Sequence, residues 1–363
     1  MSVNYQGKRP RELGISFGIF QTGKNNAITD VKGVKVGQVT LIDDSKGMRT
    51  GVTAILPHTD NIFQNKVPAG IFLGNAFGKM TGYPQVKELG NIETPIVLTN
   101  TLNLAAAIDG IIDYVFSFKD NREVESVNCV VGETNDGAVN DIRARFVKRE
   151  DVLKAIVEAK DGPVEEGCVG AGTGTKAFNF KAGIGTASRK LPENMGGYTV
   201  GVIVQSNFGG LLNINGVDVG KALGGFPYQK EIESADGSIM MVVATDAPLD
   251  SRNLERLAKR AFMGMAKTGG VASNGSGDFV IAFSTNETIR VRHRAPDFSL
   301  HCTSVLRNDD MTPLFMAAIE ATEEAIINSL FAAHDTPTHD GKIVKALPLD
   351  EVMTMLEKHL KLN

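Results

Sequence analysis

The sequence predicts a mixed α/β protein built from layered sheets flanked by helices. Three observations carry this. The first third alternates apolar and polar residues with period two, as half-buried strands do. Two later runs, Tyr198–Gln205 and Ser238–Thr245, are almost wholly apolar and read as buried central strands. Elsewhere in the chain lie segments whose apolar residues recur every three or four positions, and no strict strand–helix–strand rhythm orders the whole.

Taken in order, residues 27–41 read as strand, punctuated by Gly33 and Gly37. Gly51–Leu56, stopped by Pro57, and Pro95–Thr99 follow as strands. From Leu102 to Phe118, Ala105, Ile108, Ile112 and Val115 form a helix face. Asn128–Gly132 is a short apolar strand, and Arg149–Lys160 a polar helix with Val152 and Ile156 inward. The glycine-rich stretches Gly170–Thr175 and Gly183–Ser188 read as tight turns, and Ser206–Gly210 as the turn that ends a strand. Residues 218–237 form the clearest loop. After Pro248, Asp250 or Ser251 caps a helix facing inward through Leu254, Leu257, Ala258, Ala261 and Met265, stopped by Gly269-Gly270. Phe279–Ser284 and Thr288–Arg292 read as a hairpin. Pro313–Phe331 reads as an amphipathic helix with Ile319, Ala325, Ile326 and Leu330 inward, and Leu349–Leu360 closes the chain as a helix.

Composition excludes several classes. With 38 Lys+Arg against 42 Asp+Glu the net charge is −4, and no basic cluster offers a nucleic-acid or anionic-membrane surface. No run of about 18 apolar residues could span a membrane. Cys129, Cys168 and Cys302 are odd in number and widely spaced, so three buried thiols in a reducing compartment are expected, without disulfide or zinc. The N-terminal residues are polar and lack a signal-peptide core, which makes a cytoplasmic location the expectation.

Metalloprotease, P-loop and nucleophile-elbow motifs are absent, and both Gly-x-Gly stretches lack a dinucleotide fingerprint's third glycine. The six histidines are scattered, which disfavours a Ser-His-Asp triad. A nucleophile can dispense with histidine if it stands at a chain terminus, because an α-amine with a pKa of about 8 can act as its base. Asp236-Gly237-Ser238 fits that scheme, with a polar loop before it and an apolar strand after it. The alternative for the same residues is a simple turn.

A set of segments in fixed order decides between these readings. They are Gly74–Lys79, Thr94–Thr101, Glu133–Gly137, Asn140-Asp141, Gly183–Arg189, Val204–Gly209, Asp236–Ser238, Ala244–Leu249 and Ser276–Asp278. In these the chain resembles the DmpA-type L-aminopeptidase/D-amidase-esterase family, which includes the β-peptidyl aminopeptidases. The resemblance implies a four-layer αββα sandwich, similar to N-terminal nucleophile hydrolases but differently connected. It also implies a single domain that cleaves itself at Gly237–Ser238 into chains 1–237 and 238–363.

Residue by residue, the resemblance makes Ser238 the nucleophile and Asn207 an oxyanion donor. Ser276 matches a serine that hydrogen-bonds near the nucleophile. Asp278 matches an acidic position that is Glu in β-peptidyl enzymes, and Glu133 a carboxylate that grips the substrate's amino group. Taken singly, Asn207 could be a turn residue, Ser276 and Asp278 loop polarity, and Glu133 part of an Asx turn or a cation site. The implied substrate is a short peptide, amino-acid amide or ester. No cofactor or metal is expected, and a homo-oligomer of αβ units is. Ala138 is smaller than the residue expected there, so substrate preference does not transfer. Two rivals remain: an acyltransferase of the ornithine-acetyltransferase type, disfavoured by Ser in place of Thr, and an uncleaved, non-catalytic relative.

Overall fold

The structure, a computed structural model, describes residues 5–224, 237–296 and 298–360. Of the expected loop at 218–237, residues 225–236 lie outside the described residues, Asp236 among them. Among the described residues the strands form two main sheets. The smaller contains β1 (Lys35–Asp43), β2 (Met48–Leu56), β5 (Ile96–Asn100) and β6 (Val130–Thr134), in that order. The larger runs β13 (Val291–Arg292), β3 (Asn65–Ala76), β12 (Ser276–Ser284), β11 (Gly237–Thr245), β10 (Thr199–Asn207) and β9 (Ile184–Lys190), with β4 (Asn91–Ile92) paired to β3. A short hairpin, β7 (Lys176–Ala177) and β8 (Phe180–Lys181), leans on the end of β10.

Among the described residues the helices are α1 (Tyr83–Leu89), α2 (Leu104–Phe116), α3 (Arg149–Val157), α4 (Val219–Ala222), α5 (Ser251–Lys267), α6 (Thr312–Phe331) and α7 (Leu349–Leu360). Two parallel strand pairs are each joined through a helix: β5 to β6 by α2, and β11 to β12 by α5. Three apolar clusters define the layers. One joins α2 and α3 to the small sheet, through Ile111, Val152 and Val97. A second lies between the sheets, through Ile55, Leu98, Met240, Val242 and Ile281. The third packs α5 and α6 on the outer face of the large sheet, through Met241, Val280, Leu257 and Ile326. The order is therefore helix, sheet, sheet, helix.

Several sequence expectations shift. Strand structure starts only at Lys35, because Ile28–Asp30 is a 3₁₀ turn. The α2 face is rotated: Ala107, Ile111 and Val115 are buried, while Ala105 is exposed. Phe279–Ser284 and Val291–Arg292 do not form a hairpin, since both pair with β3, a strand without a clear alternation. The stretch Gly183–Ser188 is mostly strand β9. Its Gly185 sits beneath α6, where an added Cβ would lie 1.9 Å from the Ala325 carbonyl oxygen, so glycine marks a close helix–sheet approach. Cys302 is exposed rather than buried.

Helix α6 departs furthest, because it is buried on nearly every side from Ala317 onward and has no solvent stripe. The N-terminal segment covers its outer face and satisfies its carboxylates. Glu320 accepts from the Ile19 and Phe20 backbone N–H groups at 2.9 and 3.2 Å. Glu324 accepts from Arg11 Nε and Asn26 Nδ2, both at 2.6 Å. Arg189, fully buried on β9, donates to Glu320 at 3.1 Å and to Glu324 at 2.7 Å. Replacing Arg189 by Met strips two buried carboxylates of a cation. It is expected to cost about 3–5 kcal/mol, read as a lower urea midpoint at unchanged m-value.

Candidate active site

Pairing among the three middle strands of the large sheet assembles the site. Ser238, second residue of β11, lies opposite Asn207 across the antiparallel pair with β10, and beside Gly277 across the parallel pair with β12. Strand β10 thus runs two residues beyond its expected end, into the expected turn, and stops on Asn207. Gly237 pairs with Ser276, and Ile239 with Asp278. The Asn207, Ser276 and Asp278 positions are thereby fixed relative to Ser238 by main-chain register.

Ser238 faces the space between the sheets, on the same side of β11 as Met240 and Val242. It is buried, and its Oγ donates to the Gly237 carbonyl oxygen at 2.6 Å. The hydroxyl therefore lies against the peptide bond expected to break. Gly237 has no room for a side chain, since a Cβ there would come within 2.6 Å of Phe208 Cα. Asn207 is held at both ends: Oδ1 accepts from the Lys176 N–H at 3.1 Å, and Nδ2 donates to the Asn135 carbonyl at 3.0 Å. That pattern fixes the orientation of the amide and leaves one Nδ2 hydrogen available.

Ser276 and Asp278 occupy the opposite, helix-side face, because alternation puts Asp278 with Val280 and Ile239 rather than with Ser238. Ser276 Oγ donates to Asp278 Oδ1 at 2.6 Å, and no described hydrogen bond joins Ser276 to Ser238. Asp278 is fully buried, and its Oδ2 has no hydrogen-bond partner among the described residues. Burial raises this carboxyl to about 6, against the lowering influence of the Ser276 hydroxyl and the Ile239 N–H.

Glu133 reaches the same cleft from β6 of the small sheet. It is buried, accepts from the Lys79 N–H at 2.9 Å and from the Thr101 hydroxyl, and has Lys79 Nζ 3.7 Å away. The cleft has a volume of about 520 Å³, within the range of small-molecule sites. Ser238, Asn207 and Glu133 line it, whereas Ser276 and Asp278 do not. Ala138 lines it too, and its small side chain leaves space there.

Lys79 and Thr101 fall within segments singled out in the sequence, but nothing in their spacing shows that they converge on Glu133. Lys176 carried no sequence signal. Asp136, next to the cleft, belongs to a structural cluster with Asn140, and burial raises its carboxyl to about 6. Among the described residues no group of three or more His, Cys, Asp or Glu side chains could hold a metal ion, and no helix is long and apolar enough to cross a membrane.

The fold is a two-sheet sandwich between helices, and its inter-sheet cleft brings together a serine, an asparagine amide and a buried carboxylate. The chain belongs to Peptidase family S58, which it matches over residues 26–344. It is 40% identical to the β-peptidyl aminopeptidase BapA of Sphingosinicella microcystinivorans, over 99% of this chain and 95% of that protein. The crystal structure of the PH0078 protein from Pyrococcus horikoshii OT3 is similar with a TM-score of 0.89 and 47% identity, covering 98% of this chain and all of that one. The L-aminopeptidase D-Ala-esterase/amidase of Ochrobactrum anthropi, described as a prototype serine aminopeptidase and a variant of the Ntn hydrolase fold, matches with a TM-score of 0.89. It is 35% identical, over 98% of this chain and 99% of that one. The protein is thus a peptide hydrolase of aminopeptidase/amidase type, and the acyltransferase alternative is not favoured.

The raised Asp278 carboxyl has a defined pH signature. A carboxyl with a folded pKa above its unfolded value of about 3.9 contributes fully below that value and loses its contribution as pH rises through about 6. In the Ser238→Ala background, Asp278→Asn should therefore gain thermal stability relative to its parent between pH 4 and 7. A pH-independent difference in melting temperature would show that Asp278 does not titrate in this way.

Proposed function

We propose that the enzyme matures by cutting its own Gly237–Ser238 bond and then releases N-terminal residues from short peptides or amino-acid amides through Ser238. The observation that carries this reading is the Ser238 hydroxyl, 2.6 Å from the Gly237 carbonyl oxygen and directed into the cleft that Glu133 closes.

In maturation, Oγ attacks the Gly237 carbonyl carbon, the C–N bond breaks, and the Oγ proton passes to the departing Ser238 nitrogen. The chain is left joined through an ester, and the Ser238 nitrogen becomes a free amine. Water then hydrolyses the ester, giving a Gly237 carboxylate and a new N-terminus at Ser238. In turnover the neutral α-amine takes the Oγ proton as Oγ attacks the substrate carbonyl. The free Nδ2 hydrogen of Asn207 stabilises the oxyanion, the leaving amine departs with a proton, and water releases the acyl group.

Asp278 and Ser276 act from behind the nucleophile. The unpartnered Asp278 Oδ2 is the acceptor that an ammonium at Ser238 would meet, and the pairing of Ile239 with Asp278 supports that placement. Glu133, stripped of water by burial, receives the substrate's ammonium group and displaces the more exposed Lys79 Nζ. The reading extends to a homo-oligomer of processed protomers, supported by the exposed Phe298 and Leu300 side chains, and to a cytoplasmic location, supported by three free thiols.

Intact mass under denaturing conditions tests maturation. Wild type should give two species, 1–237 and 238–363, and Ser238→Ala only the full-length chain. A single full-length wild-type mass would overturn the terminal-amine mechanism. Per processed molecule, Asn207→Ala should lower kcat on an amino-acid amide about 10²–10³-fold, and an unchanged kcat would remove Asn207 from the oxyanion site.

A further inference from the structure

The cleft carries a second charged group with no role in the reaction as written. Among the described residues, three of those lining it bear formal charge: Glu133, Lys79 and Lys176. Glu133 and Lys79 face one another, 3.7 Å apart. Lys176 is different. Its side chain is half-buried in the cleft, and its ammonium makes no hydrogen bond or ion pair among the described residues.

The position of Lys176 is fixed more firmly than its side chain alone would require. Its backbone N–H donates to Asn207 Oδ1 at 3.1 Å, and Asn207 lies opposite Ser238 in the sheet register. The root of the lysine therefore stands beside the oxyanion donor, on the large-sheet side of the cleft, whereas Glu133 comes from the small sheet.

The hairpin that presents it is rigid. Strands β7 and β8 are joined by Phe178 and Asn179, both left-handed at φ 52° and 68°, the geometry of a two-residue type I′ turn. A bulky residue such as Phe adopts that conformation only under external constraint. Here the constraint is β10: the Phe178 N–H donates to the Phe208 carbonyl at 2.9 Å, and the two rings pack edge-on with centroids 4.9 Å apart. The constrained turn fixes the backbone of a lysine that lines the cleft.

We infer that Lys176 is the subsite for the α-carboxylate of the leaving residue, so that the preferred substrates are dipeptides and other very short peptides with a free C-terminus. The inference rests on the aminopeptidase reading above and adds the polarity of the bound substrate. Such a substrate is a zwitterion. Its ammonium meets Glu133, its scissile carbonyl lies between Ser238 and Asn207, and its carboxylate meets the lysine. A cleft of about 520 Å³ has room for that ligand but not for a long chain. The small Ala138 leaves the space between the charged poles open to the substrate side chain.

A competing occupant for the lysine is the Gly237 carboxylate set free by maturation, since Gly237 also lines the cleft. The two can be told apart because only the first depends on the substrate's C-terminus. The experiment compares a dipeptide with its C-terminal amide on the processed wild-type, Lys176→Met and Lys176→Arg enzymes, each confirmed by intact mass.

For Lys176→Met, kcat/KM on the free acid should fall about 10- to 100-fold, mainly through KM, while the amide changes less than about threefold. Lys176→Arg should restore most of the preference for the acid. An equal loss on both substrates would assign the lysine to Asn207 or to the Gly237 carboxylate and overturn the inference. An unchanged acid-to-amide ratio would overturn it as well. If wild type cleaves neither substrate, the aminopeptidase reading fails and this one with it. A wild type that cleaves both with no preference defeats this inference alone.

Discussion

The active site depends on the register of three neighbouring strands. β11 sits in the middle of the large sheet, antiparallel to β10 and parallel to β12, and its second residue is Ser238. One pairing puts Asn207 across from it and the other puts Ser276 and Asp278 one step away on each side. A slip of one residue would turn Ser238 toward the helices and Ile239 toward the cleft. The apolar alternation that forbids the slip is strong, since Met240 and Val242 fill the inter-sheet core while Met241 and Val243 pack under the helices. The placement of Ser238 and Asn207 in the cleft is thus set by core packing several residues away.

That division of the large sheet into two faces also separates the chemistry. The inter-sheet face presents the Ser238 hydroxyl and the Asn207 amide to the cleft that Glu133 lines from the small sheet. The helix face holds a buried carboxylate that does not line the cleft. Burial controls the second group: Asp278 is removed from water entirely, with only the Ser276 hydroxyl and a backbone N–H nearby to favour its charge. A cation arriving at the Ser238 nitrogen would meet a carboxylate oxygen left unpaired among the described residues.

The sequence made the strongly patterned parts legible. Asp250 caps α5 by accepting from the Asn253 N–H at 2.8 Å, and all five residues of the expected inward face are buried. The central strands and the order of the family segments pointed to the same enzyme class that the fold and comparisons support. What stayed hidden was hidden for physical reasons. β3 is buried for part of its length and exposed at its end, so its pattern changes along the strand. β9 looked like loop because Gly185 serves contact with α6 rather than flexibility. The polar residues Glu320 and Glu324 made α6 read as amphipathic, because sequence cannot show that Arg11, Arg189 and main-chain amides neutralise them inside the protein. Lys176 was invisible because its place in the cleft comes from a hairpin docking on a distant strand end.

The order of strands in the large sheet has a mechanical consequence. Reading inward from the edge strand β13, β3 precedes the Gly237–Ser238 bond in sequence, β12 and β11 follow it, and β10 and β9 precede it again. The later segment is therefore wedged between two parts of the earlier one. After scission the two polypeptides would be laced together by hydrogen-bonded ladders on both flanks, with helix α6 of the later piece clamped by Arg11 and Arg189 of the earlier. Neither piece could leave without opening the sheet on both sides, so the cut changes chemistry at one atom pair while the body behaves as a single unbroken solid.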